Sequence, residues 1–312
     1  MRIGIDIGGT KIGFGLLDEE GKALFFEKKE TEKEKGYESV LQKIKDSVLN
    51  ILSVHGLTIR DLKRIGVACA GQVVKADGVI QFSPNLKWRD APLKDDLESF
   101  FSVETIVEND VNAATYGEWK FSFMKIPKNV VGVFLGTGVG GGIIIDKRLY
   151  RGSEFSGGEI GHMILNPYGY ICNCGARGCF EAFCGGEYIV KRVIDLINEG
   201  YRGKIWRFAQ RDGKIHVSHI EEAYYLGDEA IKGLWEEVIE YLGCALTSIV
   251  NIFNPDLLIL GGGVISGTKG LIREAEKIVQ NKAMPGSKKG MKIERAKLGD
   301  LSAILGAAFL DD

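Results

Sequence analysis

No run of 18 apolar residues occurs in this 312-residue chain, and its opening MRIGIDIGGTK has neither the basic flank nor the apolar core of a secretory leader. The expectation is a cytoplasmic protein that does not enter a membrane. Cysteine is scarce, at six residues, too few over this length for a disulfide scaffold. Cys69, in IGVACAG, and Cys244, in YLGCALTSIV, are read as buried small hydrophobes. Charge of one sign is missing too. A net charge of −2 gives no sequence-wide attraction to nucleic acid or anionic membranes, and SKKGMKIERAK (287–297) reads as a solvated loop and edge strand. Two phosphate-binding signatures also fail. GxxxxGK[ST] is absent, and GTGVGG (136–141), which spells GxGxxG, runs into the strand-like GIIID instead of the helix that a dinucleotide fold requires.

What is present is the composition of an ordinary folded protein, 45% hydrophobic and 26% charged, in a chain long enough for two medium domains. A repeat supports two. IGIDIGGTKIGFGLL (3–17) and VGVFLGTGVGGGIII (131–145) share a design of strand, glycine turn and second strand at an offset of 128 residues. A second echo links RIGVACAG (64–71) with DLLILGGGV (256–264). Between them, Tyr37, Val40, Leu41, Ile44, Val48, Ile51 and Leu52 recur at helical spacing, with Gly56 placed to end the helix. A strand over 103–108 leads into a helix from about 111, and a long helix runs from about 228 to 253 before Pro255 stops it. DLSAILGAAFL at the end is helical as well. Strands then helices in both halves predict an α/β fold with central sheets, with no low-complexity linker between the halves.

Three groups of residues carry chemistry. The two glycine turns read either as plain hairpin turns or as cradles whose backbone N–H groups hold phosphate. The first copy has Asp6 where the second has Phe134, and a carboxylate beside a phosphate cradle suits magnesium. Asp110, at the junction of strand and helix in ENDVNAATYGEW, reads either as a helix cap or as a general base. Third, His162, Cys172, Cys174 and Cys179 follow one another with nine, one and four residues between. One imidazole and three thiolates supply the closed tetrahedral set of a structural zinc.

DIGGTK, ENDVNAA, GTGVGGG, GGEIGH and CNCGARGCFE stand in the order found in the ROK family of sugar kinases and repressors, which the chain resembles over essentially its whole length. The resemblance implies the actin-like, hexokinase-type fold, two RNase H-like domains about a cleft, with the last helix packed back on the first domain. The domains expected are 1–118 with 298–312, and 119–297. It implies ATP-dependent phosphorylation of a hexose, glucose first, with fructose or an N-acetylhexosamine as alternatives and a non-catalytic sugar sensor as the other class. The presence of Asp6 and Asp110 argues against the sensor. The DNA reader of the family's repressors precedes the glycine turn, which begins here at residue 6, so no nucleic-acid partner is expected. The implied roles are Asp110 as base and Asn85, Asn109, Glu159, His162 and Glu181 as sugar contacts. Asp6, Gly8, Gly9, Thr10, Lys11, Gly136, Thr137 and Gly138 would hold the phosphates of MgATP, and Gly261, Gly262 and Gly263 the adenosine. The zinc ligands are the four above, Cys184 lies outside the set, and a homodimer is expected. SPNLKW (83–88), which carries Asn85, departs from the family's Pro-Gly-Trp wording.

Overall fold

The computed structural model describes residues 1–74 and 77–311, which leaves Asp312, the end of the expected first domain, outside. The first part of the chain runs β1 (Arg2–Ile7), β2 (Lys11–Leu17), β3 (Ala23–Glu30), α1 (Tyr37–Val54), β4 (Arg64–Cys69), β5 (Gln72–Val74), β6 (Val79–Ser83) and β7 (Trp88–Ala91). There follow α2 (Leu93–Phe101), β8 (Thr105–Asn109), α3 (Asp110–Gly117), β9 (Val130–Leu135), β10 (Val139–Ile145) and β11 (Arg148–Tyr150). Then come α4 (Phe180–Cys184), α5 (Gly186–Asn198), α6 (Lys204–Asp212), α7 (Val217–Tyr225), α8 (Glu229–Phe253) and β12 (Leu257–Gly261). The chain closes with α9 (Gly262–Gly267), α10 (Leu271–Lys282), α11 (Pro285–Lys288), β13 (Lys292–Arg295) and α12 (Leu301–Ala308).

The expected duplication is visible in the sheets. One has the order β3-β2-β1-β4-β8 and the other β11-β10-β9-β12-β13. In each, the glycine hairpin supplies the two strands beside a parallel neighbour, β4 against β1 and β12 against β9. Those neighbours are the RIGVACAG and DLLILGGGV segments. The edge strand expected near 292 is β13. A three-stranded sheet, β5-β6-β7, had no clear periodic signal in the sequence.

By packing, Met1–Lys128, Gly142–Gly158 and Ala296–Asp312 form one unit, and Asn129–Gly141 with Glu159–Arg295 the other. The expected boundary at 118 falls inside continuous helix. There α3 passes into a π-helical turn, Glu118–Ser122, whose buried Trp119 meets Tyr116 edge-on at 5.5 Å between ring centroids.

In the first unit, α1 buries Val40, Leu41, Ile44, Val48, Ile51 and Leu52, the stripe that its period predicts, and Gly56 follows it with φ +66°. The terminal helix α12 packs on α3, β1 and β4. Glycine makes this possible: a Cβ on Gly306 would lie 1.7 Å from the Ala113 carbonyl oxygen, so α12 and α3 touch backbone to backbone. The fully buried Glu118 carboxylate fixes the approach. It accepts hydrogen bonds from the N–H groups of Lys297 (3.0 Å) and Leu298 (2.8 Å) and from the hydroxyls of Ser302 (2.7 Å) and Ser122 (2.6 Å).

In the second unit, Asp228 caps α8 by accepting from the Ile231 N–H at 3.3 Å, and Asn254, in the left-handed region, ends it one residue before Pro255. Cys244, expected to be buried, is only half-buried, because it faces Glu240 and Lys282 at the helix surface. Among the described residues, no helix is long and apolar enough to cross a membrane.

Candidate functional site

In the first unit the candidate residues gather at the carboxyl ends of β1, β4 and β8. Asp6 lies at the end of β1, paired through its backbone with Gly13 on β2 and Ala68 on β4. Burial, and then the charge of Asp110, push its pKa up to about 7, against the pull of Lys28. Asp6 and Asp110 therefore share one field although they are 104 residues apart in sequence. The same two carboxylates act on the buried Cys69 thiol, whose ionisation burial already disfavours.

The turn between β1 and β2 is held by its own Gly8 N–H to the Lys11 carbonyl, 3.0 Å, and by buried Thr31. Thr31 gives its hydroxyl to the Gly8 carbonyl (2.7 Å) and its N–H to that of Thr10 (2.9 Å). With those carbonyls occupied, the Gly9 and Thr10 N–H groups meet no protein acceptor among the described residues, and Thr10 and Lys11 are exposed. That is what a phosphate cradle needs. Gly9 also has no room for a side chain, since a Cβ would come 2.9 Å from the Asn85 carbonyl oxygen. Asn85 is exposed between buried Ser83 and Leu86. Gly71 brings the same loop towards β8: a Cβ there would meet Ser83 Cβ at 2.8 Å, and its carbonyl accepts from Asn109 Nδ2 at 3.1 Å.

Asn109, and not Asp110, caps α3. Its Oδ1 accepts from the N–H groups of Val111 and Asn112, both at 3.0 Å, and its Nδ2 also donates to Asp110 Oδ1 at 3.1 Å. Asp110 is the first residue of the helix, with Oδ1 also 3.0 Å from the Val111 N–H. The cap thus belongs to its neighbour, and Asp110 places a half-buried carboxylate on the positive end of α3.

In the second unit the turn of residues 136–138 and the start of α9 share a cleft of about 690 Å³. Gly136, Thr137 and Gly263 line it, together with Val190, His216 and Val264. Gly262, with φ +86°, needs to be glycine because a Cβ would sit 2.4 Å from the Leu135 carbonyl oxygen. The Gly136 and Thr137 carbonyls accept from the N–H groups of Gly186 (2.9 Å) and Glu187 (3.0 Å), so the first turn of α5 is clamped to the glycine turn.

His162, Cys172, Cys174 and Cys179 come together with all ligand atoms within 4.8 Å of one another. Cys174 Sγ lies 3.7 Å from Cys179 Sγ, and Cys172 Sγ 3.7 Å from His162 Nδ1. Burial and the neighbouring Cys174 thiol push Cys179 up to about 12, so three thiolates do not coexist here unaided. Cys184, buried, faces the Val238 carbonyl at 3.5 Å instead. Glu181 spans the cluster and the glycine turn: Oε1 accepts from the Cys172 thiol at 3.6 Å and Oε2 from the Val139 N–H at 2.8 Å. Glu159 is exposed at the head of the short 3₁₀ turn Ile160–His162, and its carbonyl accepts from the His162 N–H at 3.1 Å.

Sequence reasoning missed Thr31, the wall of the cleft at His216, and the buried acids Glu108 and Glu118. The two acids carried a weak signal, as charged residues bracketing the apolar face of ENDVNAATYGE.

Duplicated glycine hairpins beside parallel strands, in two α/β units, define the actin-like ATPase fold. Within that class, the chain belongs to the ROK family, whose model matches residues 2–311. It is 30% identical over 307 residues to the glucokinase of Thermotoga maritima, covering 98% of this chain and 95% of that protein. It is also 28% identical to the xylose repressor of Caldicellulosiruptor bescii, covering 97% of this chain and 76% of the repressor. Among solved structures, a ROK family glucokinase from Streptomyces griseus in complex with glucose and AMPPNP superposes with a TM-score of 0.82 at 32% identity, covering 98% and 97% of the two chains.

Proposed function

We propose that this protein is an ATP-dependent sugar kinase that phosphorylates a hexose, with glucose as first candidate. The observation that carries the reading is the carboxylate pair of Asp6, at the end of β1, and Asp110, at the end of β8 across β4, close enough to share one field beside a glycine turn with unclaimed N–H groups. Phosphoryl transfer uses both a proton acceptor and an anchor for the nucleotide's cation, the two roles such a pair of carboxylates can fill. Relatives that are glucokinases support the same reading.

In this mechanism Asp110, at the N-terminal end of α3, accepts the proton of the attacking sugar hydroxyl. Asn109, the cap, fixes one Asp110 oxygen, and Asn85, in the same unit, offers an exposed polar group for a sugar hydroxyl; Glu159 of the second unit offers another exposed polar group. The Gly9 and Thr10 N–H groups of the first unit are free to donate to phosphate oxygens, and in the second unit the cleft beside Gly263 and Val264 has room for the base. Magnesium, when bound with ATP, supplies charge to the transferring phosphoryl group, and Asp6 is the residue to hold it. Asp6 fits, because a nearby cation removes the penalty that burial and Asp110 impose on its ionised form.

Zinc fits the cysteine cluster. Bonds of 2.3 Å in a tetrahedron put sulfur atoms about 3.8 Å apart, and Cys174 and Cys179 stand at 3.7 Å. With its four ligands the site is closed, and zinc there contributes fold energy alone. His162 meets the thiols through Nδ1, which leaves Nε2 as its donor towards a sugar.

The test is ADP release, measured with a coupled assay over a panel of hexoses and amino sugars. Turnover with at least one sugar is expected. Sugar binding by calorimetry without turnover on any member would replace the kinase with the sensor that the repressor relatives suggest.

A further inference from the structure

Glu108 and Arg151 lie outside every role assigned above. Glu108, two residues before Asp110, is only 4% exposed, a setting in which a carboxylate keeps its charge only with close partners. Its Oε2 accepts from Arg151 Nε at 2.6 Å. Its Oε1 accepts from the Asn109 backbone N–H at 3.0 Å and from Asn112 Nδ2 at 3.1 Å. One side chain therefore grips the strand-to-helix corner on both sides of Asp110, through the residue before it and the residue two after. Asn109 then passes a hydrogen bond to the Asp110 carboxylate at 3.1 Å.

We propose that Arg151 is a positioning residue for the proton-accepting carboxylate of Asp110, acting through Glu108 and Asn109. The proposal rests on the reading of Asp110 as base. Arginine suits this task because its planar guanidinium fixes the direction of each N–H, and here two are used: Nε to Glu108 and Nη2 to Asp311 Oδ2 at 3.1 Å. The first bond orients Glu108, and the second keeps the guanidinium from turning away. A carboxylate that must meet a hydroxyl within hydrogen-bond reach gains from such a frame, because a misplacement of about 1 Å can cost on the order of 100-fold in rate.

The alternative is that the pair only staples the fold, and variants separate the two. Arg151→Met strands the Glu108 charge, so thermal stability should fall. Turnover should fall about 10- to 100-fold with KM for hexose and ATP little changed. Arg151→Met with Glu108→Gln removes the stranded charge while keeping an oxygen for the Asn109 N–H and Asn112 Nδ2, and should recover stability but not turnover, because nothing then fixes the direction of the side chain at 108. Turnover that returns together with stability overturns the proposal, as does an unchanged kcat in Arg151→Met. Should the Met variant not fold, Arg151→Lys decides. It keeps the charge without the fixed fork, so kcat should drop several-fold at constant KM, and a wild-type kcat refutes the assignment. Finally, Arg151→Met should add little to the loss in Asp110→Asn, since both act on one carboxylate; additive losses count against the chain of contacts. Wild-type turnover in Asp110→Asn alone removes the base, an outcome distinct from failure of any Arg151 variant.

Discussion

Asp110 and Asn109 are adjacent, yet only the Asn109 substitution should carry a cost in stability, while both should lower turnover. Asn109 holds the capping bonds of α3, so Asn109→Ala should cost about 1 kcal/mol, read by denaturant unfolding. Asp110→Asn leaves the cap intact and should unfold like the wild type, while kcat falls roughly 10²- to 10⁴-fold and sugar affinity holds. Asp6 gives a pH signature. Its carboxyl is raised from 3.8 to about 7 in the nucleotide-free fold, so the folded state binds its proton more tightly than the unfolded chain. The stability it contributes is full below pH 3.8 and is lost as pH rises through about 7. Melting curves of wild type against Asp6→Asn should therefore draw apart steadily over that window, by a few kcal/mol in all. Parallel curves from pH 4 to 7 would show that Asp6 is ionised throughout. MgATP, by selecting the ionised carboxylate, should release protons near pH 6, detectable by calorimetry in buffers of different ionisation enthalpy.

At the scale of elements, local signals were the legible ones. Both glycine hairpins, α1 with its apolar stripe and α8 between Asp228 and Pro255 follow from period, caps and breakers within a few residues of themselves. Cys172, Cys174, Cys179 and His162 were legible for the same reason, since 18 residues of sequence contain the whole cluster. The short strands of β5-β6-β7 were not, because three to five residues carry too little period. Nor was the cap at Asn109 or the role of Glu118, whose partners Lys297, Leu298 and Ser302 lie 179 and more residues away. Two predictions belong here. Cys174→Ser should lose most bound zinc, by elemental analysis, together with thermal stability, whereas Cys184→Ser should keep the zinc because its thiol faces α8. Gly306→Ala should cost more than about 3 kcal/mol in unfolding experiments, since a Cβ at 1.7 Å from a backbone oxygen forces α12 and α3 apart.

At the scale of the whole molecule, the first unit is assembled from three separate stretches of chain, and the second is made from what lies between them. The buried Glu118 carboxylate can be satisfied only when Lys297, Leu298 and Ser302 reach it. On a ribosome adding roughly 5 to 20 residues per second, that partner segment emerges about 10 to 40 s after Glu118 itself. Through that interval the first unit has an open face on β1, β4 and α3, with a carboxylate at its rim and no helix to cover it. The nascent chain therefore keeps this apolar face uncovered until residues 297–308 are made, whatever the speed of its individual strands.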